Sequence, residues 1–211
     1  MNTVEKLVAS QLLEVEAVKL RPNEPFTWAS GWKSPIYCDN RKTLSYPKVR
    51  STIKLELARL ILEKYPDVEV IAGVATGAIA QGALVADALG LPFVYVRSSA
   101  KDHGMKNLVE GYLEEGKKVV VVEDLISTGG SSLKAVAALR EEKQANVLGM
   151  VAIFTYQFPV AQEQFAAANV ELTTLSNYNA LVEAAAEINY IDDSVVPTLQ
   201  EWRKDPANWQ K

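Results

Sequence analysis

Four short apolar runs punctuate the chain: VEVIAGV (68–74), PFVYV (92–96), KVVVV (118–122) and NVLGMVAIFTY (146–156). A strand with one wet face alternates polar and apolar residues, whereas unbroken runs of valine and isoleucine are buried on both faces. Something must therefore cover both sides of the sheet. The intervening segments TGAIAQGALVADALG, GSSLKAVAALREEK, 160–168 and 178–187 have helical composition, with a further strand, VELTTL, before the last of these. Strands linked through helices run parallel, and the helices pack back on both faces. The predicted fold is α/β: a central parallel β-sheet flanked by helices, closing with a helix over roughly 195–205.

Ahead of this region, Val4, Leu7, Val8, Leu12 and Val15 fall at helical spacing and predict an amphipathic helix over 3–19. The patch RPNEPFTWASGWKSPIYCDNRKTLSYP is rich in turn formers and aromatics, with PFTWAS and SPIYCD as short strands around the Ser30-Gly31 turn. Ser45 and Pro47 start a helix running to about Lys64, with proline in the first turn where its missing N–H is not needed. The polar segment RSSAKDHGMKNLVEGYLEEG (97–116) has no core period. It far exceeds an ordinary connection of ~4–6 residues, and such long loops serve as lids or binding loops.

With 22 Lys and Arg against 26 Asp and Glu, the net charge is −4. That balance excludes the basic face of a nucleic-acid binder, so any anionic ligand must be held by a local cluster of donors. The single cysteine, Cys38, excludes an internal disulfide or a multi-cysteine zinc site and reads as a small buried side chain. The opening stretch carries Glu5, Glu14 and Glu16, unlike a signal peptide, and no apolar run approaches the ~18 residues of a membrane span. The expectation is one domain over 1–211, in the cytoplasm, without membrane or nucleic acid as a partner.

One segment carries most of the chemistry: VVVVEDLISTGGSS, 119–132. A core strand gains nothing by ending on two acids, which are costly to desolvate without partners. In open α/β sheets, ligands sit beyond the carboxyl ends of the strands. There Ser127, Thr128, Gly129, Gly130 and Ser131 lead into a helix, with glycine N–H groups, hydroxyls and a helix N-terminus suited to a phosphate monoester. Glu123 and Asp124 would repel that phosphate. They make sense as acceptors for a vicinal diol, or as a site beside a divalent cation. A ribose 5-phosphate unites these features. The competing reading, a helix cap from Thr128 or Ser127 behind surface acids, explains the loop but not two acids closing an all-valine strand.

This segment closely resembles the phosphoribosyl diphosphate (PRPP) signature of the type I phosphoribosyltransferases, in the wording of the orotate branch. FTWASGWKSPIYCDNR resembles that branch's N-terminal hood motif and RSSAKDHG its mobile catalytic loop. The resemblance implies a type I fold with a small hood, from about 20–45, on a core of about 46–211. It implies transfer of the phosphoribosyl group of PRPP to orotate, with Mg2+ on the PRPP, in pyrimidine (UMP) biosynthesis. It also implies a homodimer whose 97–116 loop reaches the neighbouring active site.

Residue by residue, the resemblance implies that PRPP is bound by Glu123, Asp124, Leu125, Ile126, Ser127, Thr128, Gly129, Gly130 and Ser131, and by Arg97, Lys101 and His103 of the loop. The last three are the implied catalytic residues, donors aimed at the departing diphosphate under a lid that excludes water. By residue content alone, His103 on its polar loop reads equally as a solvated histidine. AGVATGAIAQG (72–82) is a second strand–loop–helix junction. Its Ala75, Thr76 and Gly77 are either a diphosphate loop, as the resemblance implies, or a tight turn with close helix packing. Ser127, Lys33, Ile36 and Tyr37 are the implied orotate residues; Tyr37 and Trp28 read otherwise as core aromatics. No protein ligand for Mg2+ is singled out.

The chain departs from the family pattern at three places. Ala29 stands where many members have lysine before the hood Ser-Gly, and Ser98 where many have lysine after the loop arginine. Thr155, Tyr156 and Gln157 stand where some have an arginine for the orotate carboxylate. Two rival functions are a purine-base phosphoribosyltransferase, against which the hood motif speaks, and a non-catalytic PRPP-sensing regulator. The regulator would need the basic face that this acidic chain lacks.

Overall fold

The structure is a computed structural model that describes residues 3–28, 30–99 and 107–210. Helices α1 (Thr3–Glu14), α2 (Pro47–Lys64), α3 (Ile79–Leu89), α4 (Gly130–Lys143), α5 (Pro159–Ala167), α6 (Tyr178–Glu187) and α7 (Val196–Lys204) surround ten strands. The strands are β1 (Val18–Leu20), β2 (Phe26–Thr27), β3 (Lys33–Ser34), β4 (Ile36–Cys38), β5 (Val70–Val74), β6 (Phe93–Val96), β7 (Val109–Glu110), β8 (Lys118–Ile126), β9 (Asn146–Thr155) and β10 (Leu172–Asn177). The main sheet has the order β10-β9-β8-β5-β6-β7.

Every pairing in that sheet is parallel except β6 with β7, which is antiparallel. The predicted all-parallel sheet is thus corrected at one edge, where two residues of the polar segment return alongside β6. Val119 to Val122 are wholly buried. Val120 and Val122 pack with α1, α2, α3, α6 and α7 on one side, Val119 and Val121 with α4 and α5 on the other. The chain leaves β5 towards β6 in one direction and β8 towards β9 in the other, so the switch point lies between adjacent β5 and β8. The crevice for a ligand is expected there.

The predicted helix over 3–19 is cut short. Glu16 turns left-handed at φ 52°, and Val18–Leu20 instead pairs antiparallel with Ile36–Cys38. The other small ribbon pairs Phe26–Thr27 with Lys33–Ser34. These ribbons are too short to stand alone. They are fastened by α7: Trp202, fully buried, donates its indole N–H to the Lys33 carbonyl at 3.2 Å and packs edge-on against Trp28 at 5.7 Å. Among the described residues no helix is long and apolar enough to cross a membrane.

Trp202→Ala removes this anchor. The expected loss is about 3–5 kcal/mol, the cost of truncating a large buried aromatic, measured by denaturant unfolding.

Candidate active site

At the switch point lies a cavity of about 520 Å³ lined by three stretches of chain: Cys38, Asp39 and Arg41; Val74 to Gly77 with Ser98; and Glu123 to Ser132, less Ile126 and Gly130. Adjacent acids on a strand point to opposite faces, and the site uses this. Glu123 turns towards α4, where Ser132 Oγ donates to Oε2 at 2.8 Å and the Asp124 N–H to Oε1 at 3.0 Å. Asp124 turns towards α3 and lies over the Cα of Gly77. A methyl group on Gly77 would fall inside van der Waals distance of its carboxylate and push it aside.

The Ser127–Ser131 loop is built as an anion receptor. Gly129 sits at φ 86° and a Cβ on it would lie 2.8 Å from Phe165, so the position requires glycine twice over. No side chain caps α4, whose first backbone bond is Leu133 N–H to the Gly129 carbonyl at 2.9 Å. The N–H groups ahead of it are therefore open to a ligand. The alternative cap by Ser127 or Thr128 is not found.

A second cavity of about 300 Å³ is lined by Thr27, Trp28, Tyr37, Cys38, Leu125, Ser127 and Tyr156. It shares Cys38, Leu125 and Ser127 with the first. One cavity is polar and ends in a helix N-terminus; the other is a flat slot walled by aromatics.

Most residues singled out from the sequence meet here. Thr76, Gly77, Glu123, Asp124, Leu125, Ser127, Thr128, Gly129 and Ser131 line the larger cavity, and Tyr37 and Ser127 the smaller. Others do not. Ile126 is wholly buried, with its carbonyl accepting from the Tyr156 N–H at 3.1 Å, and Gly130 opens α4 without lining the cavity. Ile36 is wholly buried, its N–H and carbonyl engaged by Ser34 Oγ and its carbonyl also by Trp28 Nε1. Lys33 reaches Thr27 Oγ1 at 3.0 Å rather than the slot itself. Arg97 lies off the larger cavity: its N–H donates to the Leu108 carbonyl at 2.9 Å and its guanidinium faces Glu110 at 3.5 Å. Lys101, His103 and Ala29 lie outside the described residues.

Sequence reasoning missed the tripeptide Asp39-Asn40-Arg41, although its unbroken polarity after SPIYC was a signal. Asn40, buried, donates to the Asp124 carbonyl at 2.6 Å and ties the N-terminal region to the acidic strand end. Asp39 grips Arg41 through both oxygens, at 2.7 and 3.1 Å. Arg41 is the sole side-chain cation lining the larger cavity among the described residues. Cys38, expected to be a small buried side chain, instead lines both cavities.

Comparison with known proteins agrees with this architecture. The model of the phosphoribosyl transferase domain family matches residues 50–163. The orotate phosphoribosyltransferase of Porphyromonas gingivalis is 65% identical over 209 residues, covering 99% of both chains. That of Phocaeicola vulgatus is 63% identical over 210 residues, covering 100% of this chain and 99% of its own.

The chain belongs to the orotate phosphoribosyltransferases.

The crystal structure of the orotate phosphoribosyltransferase from Aeropyrum pernix superposes with a TM-score of 0.75 at 27% identity, covering 87% of this chain and 99% of that one. Membership makes the chain a phosphoribosyltransferase enzyme with the type I fold, as its motifs implied.

In this orotate phosphoribosyltransferase the two acids differ electrostatically. Burial, then the neighbouring Asp124 charge, pushes the Glu123 carboxyl up to about 8, against the downward pull of Ser132 and the Asp124 N–H. Asp124 is also raised by burial, offset by its contacts with Glu123 and the Leu125 N–H and by the charge of Arg41. Glu123, only 5% exposed, is the member that keeps the proton. A carboxyl protonated in the fold but ionised in the unfolded chain stabilises fully below its ordinary 4.5, and this contribution is lost as pH rises towards about 8. The ligand-free protein is therefore expected to lose thermal stability from about pH 5 to 8, and Glu123→Gln to flatten that slope. Parallel melting curves of the two proteins across this range check it.

Proposed function

We propose that the two cavities together carry the transfer of the phosphoribosyl group from PRPP to orotate, giving orotidine 5'-phosphate and diphosphate. What carries this reading is the junction at Ser127. There a polar cavity that fits a ribose 5-phosphate meets an aromatic slot that fits a pyrimidine ring. The open N–H groups at the start of α4 and the hydroxyls of Ser127, Thr128 and Ser131 receive the 5-phosphate. Asp124, with Glu123 behind it, accepts the ribose hydroxyls. Thr76 and Gly77, across the crevice, face the diphosphate.

In the reaction the bond from the anomeric carbon to the diphosphate oxygen breaks, a bond to the pyrimidine N1 forms, and N1 loses its proton. Charge accumulates on the departing diphosphate, and donors placed where charge develops are the largest lever on such a step. Arg41 supplies one cation from within the cavity. Arg97, Lys101 and His103 are the others proposed, with Lys101 or His103 transferring a proton. Arg97 lines an adjoining cavity with Ala75, Thr76 and Ser98, and a homodimer in which each loop serves the neighbouring site is part of the proposal.

Mg2+ is the proposed metal. Among the described residues no group of three or more His, Cys, Asp or Glu is placed to hold an ion. Asp124 nevertheless offers a carboxylate in a cavity shaped for a polyanion, with the protonated Glu123 behind it. That donor set fits an ion brought mainly on PRPP oxygens, with Asp124 the protein group it meets. Its chemistry is to neutralise the diphosphate. The proposed setting is the cytoplasm.

The assay follows orotate absorbance. Loss of signal is expected only when PRPP and Mg2+ are both present, and not when adenine, hypoxanthine or uracil replaces orotate. Consumption of a purine base instead would overturn the reading.

Lys101→Ala is expected to lower turnover by ~10²–10³-fold while leaving PRPP affinity nearly unchanged. Mixing that protein with Asp124→Asn chains is expected to restore activity, since one site then combines a sound cavity with a sound loop. Near-native turnover of Lys101→Ala by itself would count against the loop's role.

A further inference from the structure

One polar group lining the aromatic slot, the Tyr156 hydroxyl, sits on a rigidly packed ring. Tyr156 is 2% exposed and its ring is fixed on four sides. Trp28 lies at 5.3 Å, Phe158 stacks at 5.4 Å, and Phe154 and Trp202 meet it edge-on at 5.8 and 5.9 Å. The polar atoms around it are engaged. Trp28 Nε1 donates to the Ile36 carbonyl, Trp202 Nε1 to the Lys33 carbonyl, Tyr178 Oη to the Leu199 carbonyl, and Thr27 Oγ1 accepts from Lys33. Tyr156 Oη alone among these makes no hydrogen bond to the described residues. A tyrosine hydroxyl on a buried ring ordinarily finds a partner, and this one is open to the slot rather than sealed in the core. One that lines a cavity without a partner points to a ligand atom.

The position of this tyrosine in the chain sharpens the point. Of Thr155, Tyr156 and Gln157, which stand where some family members have an arginine, only Tyr156 reaches the slot. Thr155 Oγ1 accepts from the Gln157 N–H at 3.0 Å, and the Gln157 carbonyl accepts from Arg203 at 3.3 Å. Burial, then the proximity of Cys38, Tyr178, Tyr37 and Asp124, raises the Tyr156 phenol well above its usual value, so it stays a neutral donor wherever the enzyme works. A neutral donor in a low-dielectric wall gains most from an ionised acceptor. The ionised group of orotate is its carboxylate.

We infer that Tyr156 Oη donates a hydrogen bond to the orotate carboxylate and so selects the carboxylated pyrimidine over uracil. This rests on the reading that the slot seats orotate. Tyr156 is then a specificity-determining residue, standing in for an arginine with a neutral group held rigid by its aromatic neighbours.

Tyr156→Phe keeps the ring and removes only the hydroxyl, so the melting temperature reports whether packing is intact. The KM for orotate is expected to rise ~10- to 100-fold, the worth of a hydrogen bond to a charged group. The KM for PRPP and the inhibition constant of uracil against orotate are expected to stay unchanged. An unchanged KM for orotate overturns the inference, and so does an equal weakening of uracil, which would mean that the hydroxyl reads the ring. Thr27→Trp, which fills the slot from its rim, separates the two levels of the argument. If it leaves orotate use intact, the slot does not seat orotate and both readings fall. If it abolishes orotate use while Tyr156→Phe changes nothing, this inference alone falls.

Discussion

The two-residue period of a β-strand sets the geometry on which this site depends. Because β8 continues as regular strand through Ile126, Glu123 and Asp124 cannot face the same way. Glu123 is delivered to Ser132 on α4 and Asp124 to Gly77 at the head of α3. One strand end thus fixes the two loops that form opposite walls of the crevice, and through Asn40 it also fixes the N-terminal ribbons. A buried carboxyl with hydrogen bonds on both oxygens is held in one place, but it remains costly to ionise. Its raised pKa is the visible trace of that cost. The protein tolerates it because the same burial puts Asp124 at the mouth of the cavity with a defined neighbour on every side.

The second cavity arises differently. No single element makes the aromatic slot. It forms where ribbons of two or three residues are pressed onto the sheet by α7, with Trp202 touching Trp28, Tyr156, Phe158 and Tyr178 at ring separations of 5.4 to 5.9 Å. On the proposed reading, selectivity for the ring that enters the slot depends on residues at the far end of the chain. The C-terminal helix shapes the slot without lining either cavity.

How far the sequence disclosed this depended on the range of the interactions. The valine run of β8 and the glycine-hydroxyl loop after it are local signals; α4 lies where its pattern placed it, while the strand predicted over 118–122 runs on through Ile126 and takes in both acids. The predicted helix over 160–168 is observed as Pro159–Ala167, since proline fixes a first turn by local geometry. What failed depended on distant partners. Helix periodicity carried the reading of α1 past Glu14, because pairing of Val18–Leu20 with Ile36–Cys38 is invisible to a periodic count. The short strand β7 has only two residues and exists because β6 offers an open edge. Asn40 and Tyr156 were passed over or left without a role for the same reason. Neither belongs to a local motif: Asn40 matters through a carbonyl 84 residues away and Tyr156 through one cavity wall.

The charges around the crevice also explain why this fold carries a long polar segment between β6 and β8. Among the described residues the larger cavity sets three acids, Asp39, Glu123 and Asp124, against the single cation Arg41, which is itself paired with Asp39. Helix N-terminal dipoles and hydroxyls can hold one phosphate monoester, but on the proposed reading the ligand carries a diphosphate as well. A permanently cationic pocket would bind that diphosphate before and after reaction alike, which lowers the ground state along with the transition state and does not speed the step. Cations on a separate segment avoid this, because they can be brought to bear when the diphosphate departs and withdrawn to let it leave. On the proposed reading, the acids that make the resting cavity a poor polyanion site are the reason cations such as Arg97, Lys101 and His103 would be needed beyond the cavity wall.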